Sequence, residues 1–174
     1  MNLFSTLAAI LFALLPAAVA AGSSTEDLVQ RYRPMVDTCW WAAQTPQARS
    51  DCSGLLYDAC SRGEPDGQAT VGMAGCMAAE ASYWDNRLNQ EWGRVLPLAL
   101  AADAQESDPG YAVRAEKLVQ AQRAWITFRD AQCGYDHAVF GAGSLARVVY
   151  PSCLAEMTFD RVLDLVAIGA DLGG

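Results

Sequence analysis

The sequence has little basic charge and little histidine, and each shortage excludes a class of function. Its 174 residues include 12 lysines and arginines against 20 acidic residues, which gives a formal charge of −8. Nucleic acid and anionic lipid both require a basic face on their partner, so neither is expected to bind. His137 is the only histidine and no CxxC pair occurs, so the usual zinc ligand sets are missing. We therefore expect no metal and no cofactor.

The motifs of the common enzyme classes are missing as well: the sequence contains no GxSxG, no P-loop and no HExxH. The most concrete enzymatic alternative is a peptidoglycan-acting glycosidase, which needs two carboxylates about 5–9 Å apart. Glu80 with Glu91 or with Asp85 are the carboxylates to consider. A helix would separate Glu80 from Glu91 by roughly 16 Å, and Asp85 is better explained as the partner of an arginine. The sequence favours a protein that is not an enzyme.

No charged side chain occurs before Glu26. The apolar run from Leu3 to Leu15 is shorter than the about 20 residues that cross a bilayer, and Pro16 interrupts it. Ala18-Val19-Ala20 offers the small residues that a signal peptidase accepts. We expect residues 1–20 to be a signal peptide and the mature protein to be periplasmic or secreted, without a membrane anchor. A buried N-terminal helix is the alternative.

Export gives the six cysteines a specific meaning, because an even number in an oxidising compartment predicts disulfides. A disulfide-bonded sulfur offers no thiolate, so a Cys–His nucleophile is not expected. The spacing favours pairing between neighbours in the sequence. Each such pair closes a loop of about 12 to 19 residues, for which chain entropy predicts roughly 3 kcal/mol. The favoured pairs are Cys39–Cys52, Cys60–Cys76 and Cys133–Cys153.

Strand patterns are scarce and helix-favouring residues are abundant, so we expect an all-α protein. Pro97 is expected to kink the third helix or to end it near Leu96, and Tyr150-Pro151 to divide the last. Short connections between long helices favour a small up-down antiparallel bundle, stapled by the disulfides. The helical segments that we expect cover residues 25–43, 47–61, 70–102, a stretch that ends before Gly141, and 145–172.

Apolar residues at helical spacing predict the buried faces of the two central helices. In the third segment they are Met77, Ala81, Trp84, Leu88 and Val95, and in the fourth Leu118, Ala121, Trp125, Phe128, Tyr135 and Val139. The adjacent Trp40 and Trp41 diverge by about 100° on a helix, so both cannot face one core. We expect one of them on the surface, as a candidate contact with a partner.

Several short motifs follow one another in a fixed order from Cys76 onward. They are Cys76-Met77-Ala78-Ala79-Glu80, Trp84-Asp85-Asn86-Arg87-Leu88-Asn89, Gln122-Arg123-Ala124-Trp125-Ile126, Phe128-Arg129-Asp130-Ala131-Gln132-Cys133, Gly143-Ser144, Cys153-Leu154-Ala155 and Thr158-Phe159-Asp160-Arg161. Their order and spacing resemble the lysozyme inhibitor LprI-like N-terminal domain family over about residues 60–168. One departure is Ala142-Gly143, where the family has two glycines before the serine. The resemblance implies an LprI-like helical domain over residues 60–174 and makes residues 21–59 an N-terminal helical hairpin extension.

We interpret the polar motif residues as architecture rather than chemistry. Asp85, Arg129 and Arg161 are expected to form a partly buried ion-pair network between three helices, because the arginine fork holds a carboxylate through two hydrogen bonds. Asn89 and Gln122 are expected to hydrogen-bond across the same seam. The motif set is completed by Leu88, Trp125 and Thr158.

The resemblance implies a non-enzymatic domain that binds another protein and blocks a lysozyme. Lysozymes of the animal type are basic, and a charge of −8 would speed their encounter with this chain. The candidate contact is the turn that contains Gly141, Gly143 and Ser144, held by the Cys133–Cys153 bridge. The alternative is an envelope scaffold with another protein partner, for which Trp40, Trp41 and the N-terminal hairpin would form the contact surface.

Overall fold

A computed structural model describes residues 23–173 of the chain. The predicted signal peptide, residues 1–20, lies outside the described residues. Within residues 23–173 the secondary structure is entirely helical, which confirms the all-α prediction. The helices are α1 (Thr25–Ala42), α2 (Pro46–Ser50), α3 (Leu55–Gly63), α4 (Thr70–Ala104), α5 (Arg114–Phe140) and α6 (Ala146–Asp171). None of these helices is long and apolar enough to cross a membrane.

The longest helix, α4, lies at the centre and packs most extensively on α6, with α1, α3 and α5 also in contact. Its Trp84 is fully buried and lies 4.7 Å from Phe159 and 5.7 Å from Trp40 between ring centroids. Further along both helices, the guanidinium of Arg94 on α4 lies against Gly169 on α6, where a Cβ would displace this flexible side chain. The core is therefore built around α4.

Neither Pro97 nor Pro151 ends its helix, so the predicted end near Leu96 and the predicted division at Tyr150-Pro151 are wrong. α4 continues through Pro97 to Ala104, and α6 continues through Pro151. Val95 and Ala99 are buried on either side of Pro97, so packing holds the helix across the missing hydrogen bond. In α6, Cys153 forms a disulfide with α5 two residues after Pro151.

The predicted helix over residues 47–61 is wrong as a single element. The structure divides it into α2 and α3, and the helical path breaks at residues 51–54. Gly54 adopts a left-handed conformation with φ of 79°, which starts α3 in a new direction. The Cys39–Cys52 bridge ties this break to α1.

The predicted buried face of α5 is largely wrong. Ala121, Phe128, Tyr135 and Val139 are exposed, the last two by 65%. The helix turns a mixed face inward, which consists of Leu118, Gln122, Trp125, Arg129 and Cys133. Polar groups on this face are hydrogen-bonded and its cysteine is in a disulfide, so apolar periodicity alone pointed to the other side.

The three disulfides join Cys39 to Cys52, Cys60 to Cys76 and Cys133 to Cys153, the same pairs that the spacing favours. Their Cα–Cα distances of 5.5–5.7 Å are those of an ordinary bridge. They link α1 to the segment before α3, α3 to α4, and α5 to α6. Three disulfides are typical of proteins that mature outside the cytoplasm.

Candidate functional site

The polar motif residues of α4, α5 and α6 meet around Arg129. One terminal nitrogen of this arginine lies 3.5 Å from Asp85 Oδ1 and donates to Thr158 Oγ1 at 3.3 Å. The guanidinium also pairs with Asp130 at 2.9 Å and lies over the Trp125 ring, 5.1 Å from its centroid. Thr158 is buried and the Arg129 side chain is only 14% exposed, whereas Asp85 is half exposed. The cluster joins three helices without enclosing a reactive group.

Arg161 occupies a different place from the one predicted. Its Nε donates to Gln122 Oε1 at 2.9 Å, and a terminal nitrogen donates to Asp164 at 3.4 Å. Its guanidinium also lies 5.9 Å from the Trp125 centroid. Arg161 therefore links α6 to α5 through Gln122 and does not pair with Asp85.

The other two motif residues of α4 act within or beneath the same cluster. Asn89 Nδ2 donates to Asp85 Oδ2 at 3.2 Å within α4, so its predicted bond across the seam is absent from the described contacts, whereas Gln122 does bond to a neighbouring helix through Arg161. Leu88 is buried in the core. The motif residues thus hold helices together, with Trp125 between two arginines.

Glu80 has a structural role that the sequence did not reveal. Its carboxylate is 98% buried and accepts hydrogen bonds from the backbone N–H groups of Gly54 (3.0 Å) and Tyr57 (2.8 Å). It also accepts from Trp84 Nε1 at 2.5 Å. Because α3 has no side-chain cap of its own, Glu80 caps it from a neighbouring helix. Its position four residues before Trp84, on the buried stripe of α4, was the available clue.

Asp103 caps α5 in the same way. It accepts from the backbone N–H groups of Arg114 and Ala115, both at 2.9 Å, and from the Arg114 side chain at 3.3 Å. The hydrogen bond from the Ala115 N–H is the largest cause that lowers the pKa of Asp103, and the side chain of Arg114 lowers the pKa of Glu106. The turn between α4 and α5 is held by these two carboxylates.

The two adjacent tryptophans of α1 diverge as predicted, and they separate into a core and a surface residue. Trp40 is 2% exposed and packs on Trp84, so its assignment as a partner contact is wrong. Trp41 is 69% exposed. The two indoles contact the same buried arginine, Arg87, whose guanidinium carbon lies 5.1 Å from the Trp40 centroid and 4.9 Å from the Trp41 centroid.

The candidate turn lies in a segment that we call the hairpin end, residues 134–145. Every residue of this segment is exposed except Asp136, which is half-buried. Gly141 has φ of 53° and ψ of −131°, and the Gly143 N–H donates to the Phe140 carbonyl at 3.0 Å. This is a type II′ turn with glycine at the position that requires positive φ. Gly143 and Ser144 follow it at the surface.

More than half of the large exposed apolar side chains of residues 23–173 lie on the α5–α6 hairpin. They are Ile126, Phe128, Tyr135, Val139, Phe140, Leu145 and Tyr150. Next to the turn, a groove of about 370 Å³ runs between α5 and α6, with Phe140 and Val149 in its walls. The carboxylates of Asp136 and Glu156 also line this groove. An apolar surface flanked by acidic groups is typical of a contact for a basic partner.

Groups of three or more side chains suited to a metal do not occur in the part of the chain that the structure describes. Several of its acidic residues form ion pairs or cap helices instead. The fold and the site thus define a disulfide-stapled helical domain with a polar interhelical cluster and an exposed hairpin end.

Comparison with known protein families assigns this domain to one of them. The family model described as "Lysozyme inhibitor LprI" matches residues 60–165. The chain belongs to this family, and the match covers α4, α5 and most of α6 with all the polar motif residues. The description of the family points to binding of a protein.

Two relatives extend the comparison. An uncharacterized protein of Rhizobium meliloti (strain 1021) is 33% identical over 107 residues, which are 59% of this chain and 77% of the relative. The "Uncharacterized 17.7 kDa protein in puhA 5'region" of Rhodobacter capsulatus is 29% identical over 161 residues, 87% of this chain and 88% of that protein. No solved structure matches the chain significantly.

Proposed function

We propose that this chain is an exported, non-enzymatic domain that binds a basic lysozyme and blocks it with the hairpin end. Membership in the lysozyme inhibitor family supports binding of a protein. The choice of lysozyme as the partner is our proposal. It agrees with the charge of −8, which attracts a basic enzyme.

The observation that carries the proposal is the exposed apolar surface of the hairpin end. Tyr135, Val139 and Phe140 are each at least 46% exposed, although they are large and apolar. An inhibitor needs such a surface on a stiff element, since ordering a flexible loop would reduce the free energy of binding. The buried Cys133 and its bridge to Cys153 brace the hairpin directly behind this surface.

The acidic residues beside this surface give it the charge that a basic partner requires. Asp136 and Glu156 line the groove next to the turn, and Asp160 follows one turn later on α6. Partial burial raises the pKa of Asp160, and the nearby Asp164 carboxylate adds to that effect. A lysozyme that docks here would bring cations to a negative surface and relieve this repulsion.

The three carboxylates that a glycosidase could use already make structural contacts, which supports a protein without catalytic activity. Both oxygens of Glu80 accept hydrogen bonds that hold α3, Glu91 pairs with Arg94 at 2.9 Å, and Asp85 pairs with Arg129. A glycosidase pair needs one carboxylate aimed at a leaving group and a second aimed at the sugar carbon. None of these three acids is arranged in that way.

We further propose that residues 1–20 are removed on export and that the mature protein is periplasmic or secreted. The three disulfides support an oxidising compartment. We also propose that residues 21–59 are an extension of the family domain: α1 lies before the region that the family model matches and packs on α4.

The test is inhibition of a basic lysozyme on cell-wall substrate at low ionic strength. Wild-type protein should slow lysis, and the Val139→Ala/Phe140→Ala variant should weaken inhibition by about tenfold or more, a loss of about 1.4 kcal/mol. Tyr111→Ala is the matched control, because Tyr111 is equally exposed but lies on the α4–α5 connection. Its inhibition should equal that of the wild type.

A second pair of variants tests the charge. Asp136→Asn/Glu156→Gln should slow association and flatten its salt dependence, whereas Glu116→Gln, exposed on the same hairpin, should have little effect. If the wild-type protein at large excess slows no lysozyme, the lysozyme proposal is wrong. A stable complex with another envelope protein would then support the scaffold alternative.

A further inference from the structure

A polar cavity of about 290 Å³ lies between α1 and α4, where the N-terminal extension packs on the region that the family model matches. Its volume is near the lower end of the about 300–1,000 Å³ of small-molecule sites, which suits a ligand of one or two rings. Six of its lining residues present polar or aromatic groups to the cavity, three from each helix. They are Arg33, Asp37, Trp41, Asn86, Arg87 and Gln90.

Trp41 gives the cavity an aromatic wall that is open to solvent. Its side chain is 69% exposed, yet the Arg87 guanidinium lies 4.9 Å from the ring centroid. A cation in this position holds an indole in place through attraction to the ring face. The exposed indole is therefore preset in orientation, as a binding platform requires.

Arg87 is buried but poorly satisfied. The residue is 5% exposed, and its donors reach Gln90 Oε1 at 3.3 Å, the Tyr83 hydroxyl at 3.5 Å and Asp37 Oδ1 at 3.6 Å. Charge-assisted hydrogen bonds of arginine are normally about 2.7–2.9 Å long. A buried cation whose hydrogen bonds are long, and whose other contacts are two indole rings, can still donate to oxygen atoms of a ligand in the adjoining cavity.

The charges around the cavity balance. The walls hold the cations Arg33 and Arg87 and the anions Glu26 and Asp37. Asp37 accepts from Arg33 Nε at 3.1 Å and from the Tyr83 hydroxyl at 2.8 Å, so the ions neutralise one another locally. An anionic ligand would be repelled by the two carboxylates, and a cationic ligand by the two arginines. The cavity suits a neutral ligand with many hydroxyl groups.

We propose that this cavity binds a neutral sugar as a single hexopyranose unit of a saccharide. The C–H face of a pyranose ring is apolar and packs on the π-face of an indole, here on the exposed part of Trp41 that Arg87 leaves uncovered. Sugar hydroxyls both donate and accept, and they match the donors of Arg87, the carboxylate of Asp37 and the amide of Gln90. The site lies on the α1–α4 face and includes no residue of the hairpin end.

The test is titration of the oxidised protein, without lysozyme, with glucose, N-acetylglucosamine and chitotriose. Calorimetry and the indole N–H resonance of Trp41 follow binding, and Trp41→Phe identifies that resonance. At least one sugar should bind saturably and shift the resonance. Trp41→Ala should weaken binding by about tenfold or more, equal to about 1.4 kcal/mol, and Gln90→Ala should weaken it severalfold.

Tyr111→Ala is the matched control, since Tyr111 is as exposed as Trp41 but lies far from the cavity in the sequence. It should bind the sugar as the wild type does. Thermal unfolding verifies that each variant is folded. The proposal is overturned if no sugar gives a saturable shift at tens of millimolar. It is overturned equally if Trp41→Ala binds unchanged, or if inorganic phosphate or spermidine binds where the sugars do not. Lysozyme inhibition by Trp41→Ala should stay at the wild-type level, so the two proposals fail independently.

Discussion

Disulfides link the helices both on the N-terminal side of the molecule, from α1 to the start of α4, and in the α5–α6 hairpin. The two sets of bridges lie in different surroundings. Cys52, Cys60 and Cys76 are fully buried among core residues such as Leu56 and Trp84. The Cys133–Cys153 bridge lies beside Met157, and the segment that follows Cys133 is exposed almost throughout. On the N-terminal side the bridges reinforce a hydrophobic core. In the hairpin Cys133 is also fully buried, but its bridge lies outside that main core cluster.

This difference matches a division of roles. The N-terminal side leaves few large apolar side chains at the surface, among them Trp41, whereas the hairpin end keeps Tyr135, Val139 and Phe140 there. Such exposure lowers stability unless a covalent link offsets it. The proposed inhibitor contact therefore lies in a segment that is exposed almost throughout.

The largest expected effect is on the N-terminal side, at Glu80. Glu80→Ala leaves the Gly54 and Tyr57 N–H groups and the Trp84 indole N–H without their buried acceptor. We expect the free energy of unfolding to fall by about 3–5 kcal/mol, since each orphaned donor costs about 1–3 kcal/mol. Denaturant unfolding of the oxidised protein measures this. Glu116→Gln, an exposed acid of α5, should change stability by less than about 0.5 kcal/mol. A small loss for Glu80→Ala would show that α3 does not depend on this cap.

Removal of single disulfides separates the two regions directly. The Cys60–Cys76 and Cys133–Cys153 bridges span 16 and 20 residues, so chain entropy predicts a similar cost of about 3 kcal/mol for either. Replacing both cysteines by alanine should cost this much or more at Cys60–Cys76, because the mutation also leaves a cavity in the core. At Cys133–Cys153 the loss of global stability should be smaller, because the hairpin end can open locally.

Hydrogen exchange distinguishes the two outcomes. Without the Cys133–Cys153 bridge, amides near residues 134–145 should exchange much faster while those of α4 change little. Without Cys60–Cys76, protection should fall across α3 and α4 together. Equal, global loss of protection in both variants would show that the two bridges have the same role in the fold.

The smallest expected effect is a pH dependence at the base of the hairpin. Hydrogen bonds from Ala115, Arg114 and their neighbours lower the pKa of Asp103 and of Glu106 in the folded state. Such carboxylates stabilise the protein above their unfolded pKa, about 4, and this contribution is lost as pH falls through the folded pKa. The melting temperature should therefore drop below about pH 4.

Asp103→Asn should reduce that acid-induced drop, because it removes one of the groups that must be protonated. It should also lower the melting temperature slightly at neutral pH, since the amide caps α5 less well than a carboxylate. Glu116→Gln controls for the loss of an exposed acid in the first turn of the same helix. An unchanged acid profile in Asp103→Asn would show that the cap contributes nothing to the pH dependence.

Much of the fold was accessible from the sequence because its determinants are local or periodic. The stripe of Trp84, Leu88 and Val95 lies buried as its spacing predicts. The separation of Trp40 and Trp41 follows from the step of about 100° between adjacent helical residues, so the sequence alone shows that they cannot share one face. What it left undecided was which of the two faces the core.

Other features were out of reach because their partners are distant in the chain. Glu80 is an ordinary helical acid until Gly54 and Tyr57, more than 20 residues earlier, bring their N–H groups to it. Arg161 was assigned to Asp85 on charge alone, but the register of α6 on α5 places it at Gln122. The charge of a side chain shows which kinds of group can pair with it, and the register between helices decides which of these groups it meets.

The sequence by itself determined the all-helical class, the neighbouring order of the cysteine pairs and the family, since these depend on composition, spacing and motif order. Only the tertiary structure decided which face of α5 is buried, which tryptophan is exposed and where a cavity opens. The physical reason is that burial of a polar or mixed face depends on hydrogen-bond partners from other helices. The surfaces that carry both proposals, the hairpin end and the α1–α4 cavity, are therefore products of packing.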